Sequence, residues 1–216
     1  MEIFISIDGV LRNTIQKFDY HYNDAYLTSE FENEEKFEYG VIEPIQNDNL
    51  LNHYNFQSQE EFEFFTFMEY PIEIFGHAGL SYSTTFTDLH KLVFENKEHN
   101  FTLVGLDELG KSKPATLFFL SKNGFLGDNI KFAKSDDIEK LWDVCDAWIT
   151  DSKKILDVCP ENKTGIKFNT IYNQYFTYKK EITKLTEIQE PWSKYSENST
   201  TLISMESQKN VEQETK

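Results

Sequence analysis

Apolar and polar positions fall into three regimes along the chain. The first is immediate: Glu2 to Ile7 is a nearly continuous apolar run, closed by Asp8-Gly9 and followed by the apolar pair Val10-Leu11. Runs of this kind fit a strand covered on both faces, as in a parallel sheet. The second regime, from about Asn13 to Asn55, mixes aromatic and acidic residues without sustained helical or strand periodicity. Tyr20, Tyr22, Tyr26, Phe31, Phe37 and Tyr39 suggest a small lobe that buries aromatics, with Glu30 to Glu38 as its acidic rim. We read this stretch as an insertion lying over the carboxyl end of the first strand.

The third regime is regular. Ser58-Gln59-Glu60-Glu61 is a capping box that opens a helix. Phe62, Phe65 and Met68 form one face of that helix, Phe64 and Phe67 widen the stripe, and Pro71 stops or kinks it. Thr84 or Thr85 caps a second helix with Phe86, Leu89, Leu92 and Val93 facing inward. Phe101 to Leu106 then reads as a strand, and Pro114 to Lys122 as a helix closed by Gly124. Ile130 to Ala133 is a strand, Ser135 to Trp142 a helix, and Ala147 to Thr150 a strand ending at Asp151. Gly165 to Asn169 is a further strand, and Glu181 to Ile188 a final helix. This alternation predicts an α/β fold with a mostly parallel sheet and helices on both faces. Residues 193–216 are polar and short of large apolar side chains, which predicts a disordered tail or a docking arm.

Composition narrows the options. A chain of 216 residues can bury one core with a small inserted lobe, and 39% hydrophobic content with 19 Phe and 11 Tyr argues for a folded globule. A formal charge of -16 argues against a general nucleic-acid binder, because phosphate repels a net acidic surface. There is no run of eighteen apolar residues, and the amino terminus enters a strand at once instead of a basic and then apolar leader. We therefore expect no membrane partner and an intracellular location. Cys145 and Cys159 lack metal-ligand spacing and fit a reducing compartment.

Two patterns carry candidate chemistry. Asp8 and Asp151 both close apolar strands, so a parallel sheet brings them to one edge, where open α/β sheets bind ligands. Together they could hold Mg²⁺, although an acidic residue after a strand often only caps the next turn. Separately, Gly105 to Ser112 satisfies the Walker A expression, with Lys111 and Ser112 as its nucleotide-binding residues. Asp107 and Glu108 speak against it, since they put carboxylates where a polyphosphate needs bare amides. His21, His53, His77, His90 and His99 are scattered without ligand spacing.

Ile5-Ser6-Ile7-Asp8-Gly9-Val10-Leu11 resembles motif I of the haloacid dehalogenase (HAD) superfamily, Asp-x-Asp-Gly-Thr/Val-Leu. Asp146 to Asp151 resembles the strand that ends in its motif IV acid, and Pro160 to Phe168 with Tyr172-Asn173 is similar to the segment after that acid in nucleotidase-like members. The resemblance implies a Rossmannoid three-layer domain over 1–192, with core 1–12 and 76–176, a small cap insertion at about 13–75 after the first strand, and a tail at 193–216. It also implies Asp8 as general acid and base, Asp8 and Asp151 as metal residues, and Lys134 or Lys140 as the phosphate contact. The nucleophile position is Ser6, which brings no charge to a metal and is a poor nucleophile without a base. Val104-Gly105-Leu106-Asp107 offers no Ser or Thr for motif II. We therefore expect phosphatase chemistry to be lost and no cofactor to be needed, with Mg²⁺ only if the site is retained.

The chain further resembles HAD-like proteins of crAss-like tailed bacteriophages, through motif I with Ser6, Lys113 to Ser121 and Thr150-Asp151-Ser152. That implies a non-catalytic virion component of tail, neck or head, working through protein–protein contacts of its cap and carboxy-terminal tail inside the host cell. The alternatives are a Mg²⁺-dependent 5'-(deoxy)nucleotidase-type phosphatase and a P-loop nucleotide binder.

Overall fold

The computed structural model describes residues 1–30, 50–54 and 56–189. Residues 31–38 of the expected acidic rim, the aromatics Phe31, Phe37 and Tyr39, and the tail at 193–216 lie outside them. In chain order the elements are β1 (Glu2–Ser6), β2 (Arg12–Asn13), α1 (Thr14–Glu30), α2 (Gln59–Phe64), β3 (Gly79–Leu80), α3 (Thr85–Glu95), β4 (Asn100–Leu106) and α4 (Lys113–Lys122). They continue as β5 (Ile130–Ala133), α5 (Ile138–Val144), β6 (Ala147–Thr150), α6 (Lys153–Asp157), β7 (Thr164–Phe168) and β8 (Glu181–Ile182).

Six strands form one sheet in the order β5-β4-β1-β6-β7-β8, and every pairing in it is parallel. Side chains alternate across a strand, so β1 feeds two cores. Ile3 and Ile5, with Ile7 just beyond, pack under Leu89 and Leu92 of α3 and Phe119 and Leu120 of α4. Phe4 packs on the other side with Trp148, against Leu141 and Trp142 of α5 and Ile155 of α6. The fold is thus a three-layer α/β sandwich with a mostly parallel sheet.

A third cluster stands apart from both. Phe18 and Tyr22 of α1 pack with Tyr54, Phe65, Phe67, Ile74 and Phe75. Edge-on pairs recur in it, such as Phe18 with Tyr54 at 4.7 Å and Tyr22 with Phe56 at 5.1 Å between ring centres. This is the arrangement that aromatic quadrupoles favour. The strands β2 and β3, paired antiparallel, tie this lobe to the sheet.

Three expectations need correction. The helix opened by Ser58, whose hydroxyl accepts the Glu61 N–H at 3.2 Å, does not bury one continuous stripe. Past Phe64 its turns widen to five-residue closures, Tyr70 N–H to Phe65 O at 3.0 Å and His77 N–H to Ile72 O at 2.9 Å. Phe64 and Met68 face outward, 58% and 50% exposed, while Phe65 and Phe67 are buried. On α3, Val93 also faces out. Glu181 to Ile188 is not one helix: Glu181-Ile182 pairs with Lys167-Phe168, and a tight turn spans Leu185–Gln189. Its buried residues Ile182, Leu185 and Ile188 recur every third position, which suits a three-residue turn better than an α-helix.

Candidate functional site

The chain leaves β1 toward β4 and β5, then returns to β6 on the other side of β1. Such a switch point leaves a crevice at the carboxyl ends of the two diverging strands. A cleft of about 450 Å³ lies there, lined by Asp8, Gly9, Thr14, Ser81, Tyr82, Asp151, Asn169 and Tyr172 among others. Asp8 and Asp151 therefore meet at one cleft. Gly9, at φ 74°, leaves room for Asp151 at this edge: a β-carbon there would stand 1.9 Å from the Asp151 carboxylate carbon. The loop after Phe168 is held by buried Asn173, whose amide donates to Asp151 O at 3.0 Å and Phe168 O at 2.8 Å.

The turn after β1 doubles back on itself. Ile7 O accepts from Leu11 N–H at 3.0 Å and Arg12 N–H at 3.1 Å, and Gly9 N–H donates to Arg12 O at 2.9 Å. This returns Arg12 to Asp8, where the guanidinium forks onto the carboxylate, Nε to Oδ1 at 2.7 Å and Nη2 to Oδ2 at 3.1 Å. Arg12 is 1% exposed; its Nη1 donates to Phe75 O at 2.9 Å, and its guanidinium carbon lies 4.9 Å from the Phe75 ring centre. The Thr14 hydroxyl also donates to Asp8 Oδ1. Both Asp8 oxygens are thus engaged by the chain's own donors. Sequence reasoning passes over Arg12, because its relation to Asp8 depends on the reversal of the turn.

Ser6 points away from the cleft. It is 7% exposed, and its Oγ accepts the indole N–H of Trp148 at 3.0 Å, beside Phe4 and Trp142. Lys134 is exposed just past β5, and Lys140 is exposed on α5 with its ammonium 2.8 Å from Asp137. Neither lies among the residues lining the cleft, and no Lys or Arg does among the described residues. Tyr82, which does, has its phenol pushed well above the ordinary tyrosine range by burial. It stays a neutral hydroxyl that accepts the Leu185 N–H at 3.1 Å.

The loop after β4 is closed by its own carboxylate. Asp107, 4% exposed, accepts the N–H groups of Lys111 at 3.0 Å and Lys113 at 3.1 Å. Glu108 likewise accepts the Ser135 N–H at 3.1 Å. Ser112 is buried while Lys111 is exposed, and the amides a phosphate would need here already donate to a side chain.

For Mg²⁺ the residues present do not fit. The described residues gather no group of three or more His, Cys, Asp or Glu positioned to hold a metal. Ser6 is turned into the core, and Asp8 is committed to Arg12 and Thr14.

Comparison with solved structures agrees with this architecture. A putative haloacid dehalogenase-like hydrolase from Bacteroides fragilis aligns over 87% of this chain and 98% of its own, with a TM-score of 0.56 and 12% identity. Haloacid dehalogenase-like hydrolases from Burkholderia xenovorans LB400 (90% and 97% covered, TM-score 0.47, 9% identity) and Xanthomonas campestris (87% and 92%, 0.46, 10%) align more loosely. No family model matches the sequence, and neither does any curated protein. At such low identity the likeness is one of fold, and the fold is HAD-like.

Proposed function

We propose that this chain is a HAD-like module without phosphoryl-transfer activity, acting as a structural or binding component through contacts with other proteins. The observation that carries this reading is the Ser6–Trp148 hydrogen bond. It holds the nucleophile position inside the core, with its only available heteroatom facing an indole. Asp8 locked onto Arg12 and the absence of any basic lining residue in the cleft, among the described residues, support it further. A dianionic phosphate monoester would meet the Asp151 carboxylate and an Asp8 already neutralised by Arg12, with no Lys or Arg among the described residues lining the cleft to receive it. The resemblance to tailed-phage proteins extends the proposal to a virion component whose partners meet its cap and carboxy-terminal tail. The test is hydrolysis of nucleoside monophosphates with Mg²⁺ by the full chain, against an Asp8→Asn control. We expect the two to be indistinguishable; turnover above the control overturns the reading.

A second reading, a nucleotidase-type phosphatase with a substitute nucleophile, has the meeting of Asp8 and Asp151 at one cleft in its favour and requires Asp8 to leave Arg12 and Thr14 before the two carboxylates could share a metal. The same assay decides it, with Asp151→Asn as the added variant.

A further inference from the structure

The cleft beside Asp8 and Asp151 offers little to an anion, because donors around it are spent within the chain. The Thr14 hydroxyl gives its proton to Asp8, the Ser81 hydroxyl to Gly9 O at 2.7 Å, and the Thr183 hydroxyl to Glu187 at 2.6 Å. Backbone amides are engaged as well: Gly9 N–H on Arg12 O at 2.9 Å, and Thr170 N–H on Asn173 Oδ1 at 2.9 Å. The start of α1, which enters the lining through Thr14 and Ile15, is capped by Asn13, whose Oδ1 accepts the Gln16 N–H at 3.1 Å. A hydroxyl has one proton to give, so these three side chains can meet a ligand only as acceptors.

Acceptor oxygen and apolar wall are what the cleft presents. Arg12 neutralises Asp8 from behind, at 2.7 Å, and Asp151 brings a second carboxylate. Among the described residues, the lining side chains taken with Arg12 therefore carry a net negative charge. Ile15, Leu50, Phe168, Ile171 and Tyr172 line the same space. Ile171 is 64% exposed, on a loop that Asn173 fastens to Asp151 O and Phe168 O. The volume of about 450 Å³ lies in the range of sites that take small ligands.

We propose that the cleft receives an organic cation with an apolar body, an alkyl or aryl ammonium, its N–H groups on Asp151 and its carbon body against Ile171 and Tyr172. An ammonium has three donors and no acceptor, so it asks for nothing that the cleft has already spent. A carboxylate or phosphate ligand does ask for donors, and a sugar or other polyol asks for them at each of its acceptor oxygens. A bare metal ion would need Asp8 to leave Arg12 and Thr14, and it gains nothing from apolar walls. The same chemistry is carried by a free amine and by a lysine side chain of a partner protein. The proposal rests on the reading of this cleft as one without phosphoryl transfer. Turnover of nucleoside monophosphates sinks that reading, whereas a failure to bind amines sinks only this one.

The experiment is an NMR titration of the ¹⁵N-labelled full chain with three probes of one shape: phenethylamine, phenethyl alcohol and hydrocinnamate. The amine is expected to bind about fivefold tighter than the alcohol, the upper end for an ion pair that water still reaches, and the carboxylate weakest. Shifts should centre on Gly9, Asp151 and Tyr172. Asp151→Asn should remove the preference for amine over alcohol. Ile171→Asn, at an exposed position that leaves the fold intact, should weaken both equally. A lysine capped at both backbone ends separates the sources: binding as tight as that of phenethylamine assigns the cleft to a protein side chain, and weaker binding assigns it to a free amine. The proposal is overturned if no probe binds, if hydrocinnamate binds as tightly as the amine, or if Asp151→Asn keeps the preference. Displacement of the amine by millimolar Mg²⁺ also overturns it, in favour of a metal site.

Discussion

The carboxylate of Asp151 lies directly against the backbone of Gly9, its carbon 1.9 Å from the place a β-carbon would take. Gly9 also sits at φ 74°, a left-handed conformation that costs an L side chain about 1–2 kcal/mol before any clash. Gly9→Ala should therefore lower stability by about 2 kcal/mol or more, since overpacking adds its own penalty. Urea unfolding measures this. A variant within about 0.5 kcal/mol of wild type, the usual range for neutral surface changes, would mean that Asp151 does not stay against Gly9.

Arg12 and Asp8 form a pair that is buried at one end, with side chains 1% and 34% exposed. Removing Asp8 strands a guanidinium among Phe75 and Phe119. Asp8→Ala is expected to cost about 3–5 kcal/mol, the range for an orphaned buried charge. Adding Arg12→Met should return part of that loss, so the double variant unfolds at higher denaturant than Asp8→Ala alone. If the two effects simply add, the ion pair is not the reason Asp8 matters.

Asp107 fills the anion position at the start of α4 with its own carboxylate. Asp107→Ala leaves the Lys111 and Lys113 amides without their acceptor, at a cost of about 1–3 kcal/mol. It also vacates a place that suits an anion. Inorganic phosphate should raise the melting temperature of Asp107→Ala while leaving the wild type unmoved, as scanning fluorimetry can show. A wild type stabilised equally by phosphate would count against the self-closed loop.

His21 stacks on Tyr70 at 5.5 Å, and its Nε2 is buried without a hydrogen-bond partner among the described residues. Burial, then the nearby Lys17 ammonium, holds its imidazole below the ordinary histidine value of 6.5. The unfolded chain consequently takes up a proton more readily than the folded one. The stability this group contributes is present above the unfolded value and is lost as pH falls through it toward the folded one. Thermal melts between about pH 7 and 5 should drop more steeply for the wild type than for His21→Gln, because histidine is the side chain that titrates in this window.

The strands of the sheet are legible because each is a short, dense apolar run bounded by turn residues, and parallel strands buried on both faces need that pattern. The two-residue β8 carries no period at all and reads as the start of a helix. Helix α1 does hold a signal: Ile15, Phe18 and Tyr22 lie at helical spacing. It is blurred by Tyr20, an aromatic that faces outward at 60% exposure. At the site, Asp8 and Asp151 can be placed from strand ends alone. Their surroundings cannot, because Trp148 reaches Ser6 across 142 positions of sequence and Arg12 reaches Asp8 only through a backbone reversal.

Among the described residues both margins of the sheet are narrow, four residues at β5 and two at β8, and the outer β5 strand carries the exposed Lys131. So short a selvedge, with an ammonium on one side, gives a neighbouring backbone little to stitch onto. Lateral growth into a continuous cross-molecular ribbon is disfavoured. However densely these chains are crowded together, the described edges leave contact between neighbours to side chains.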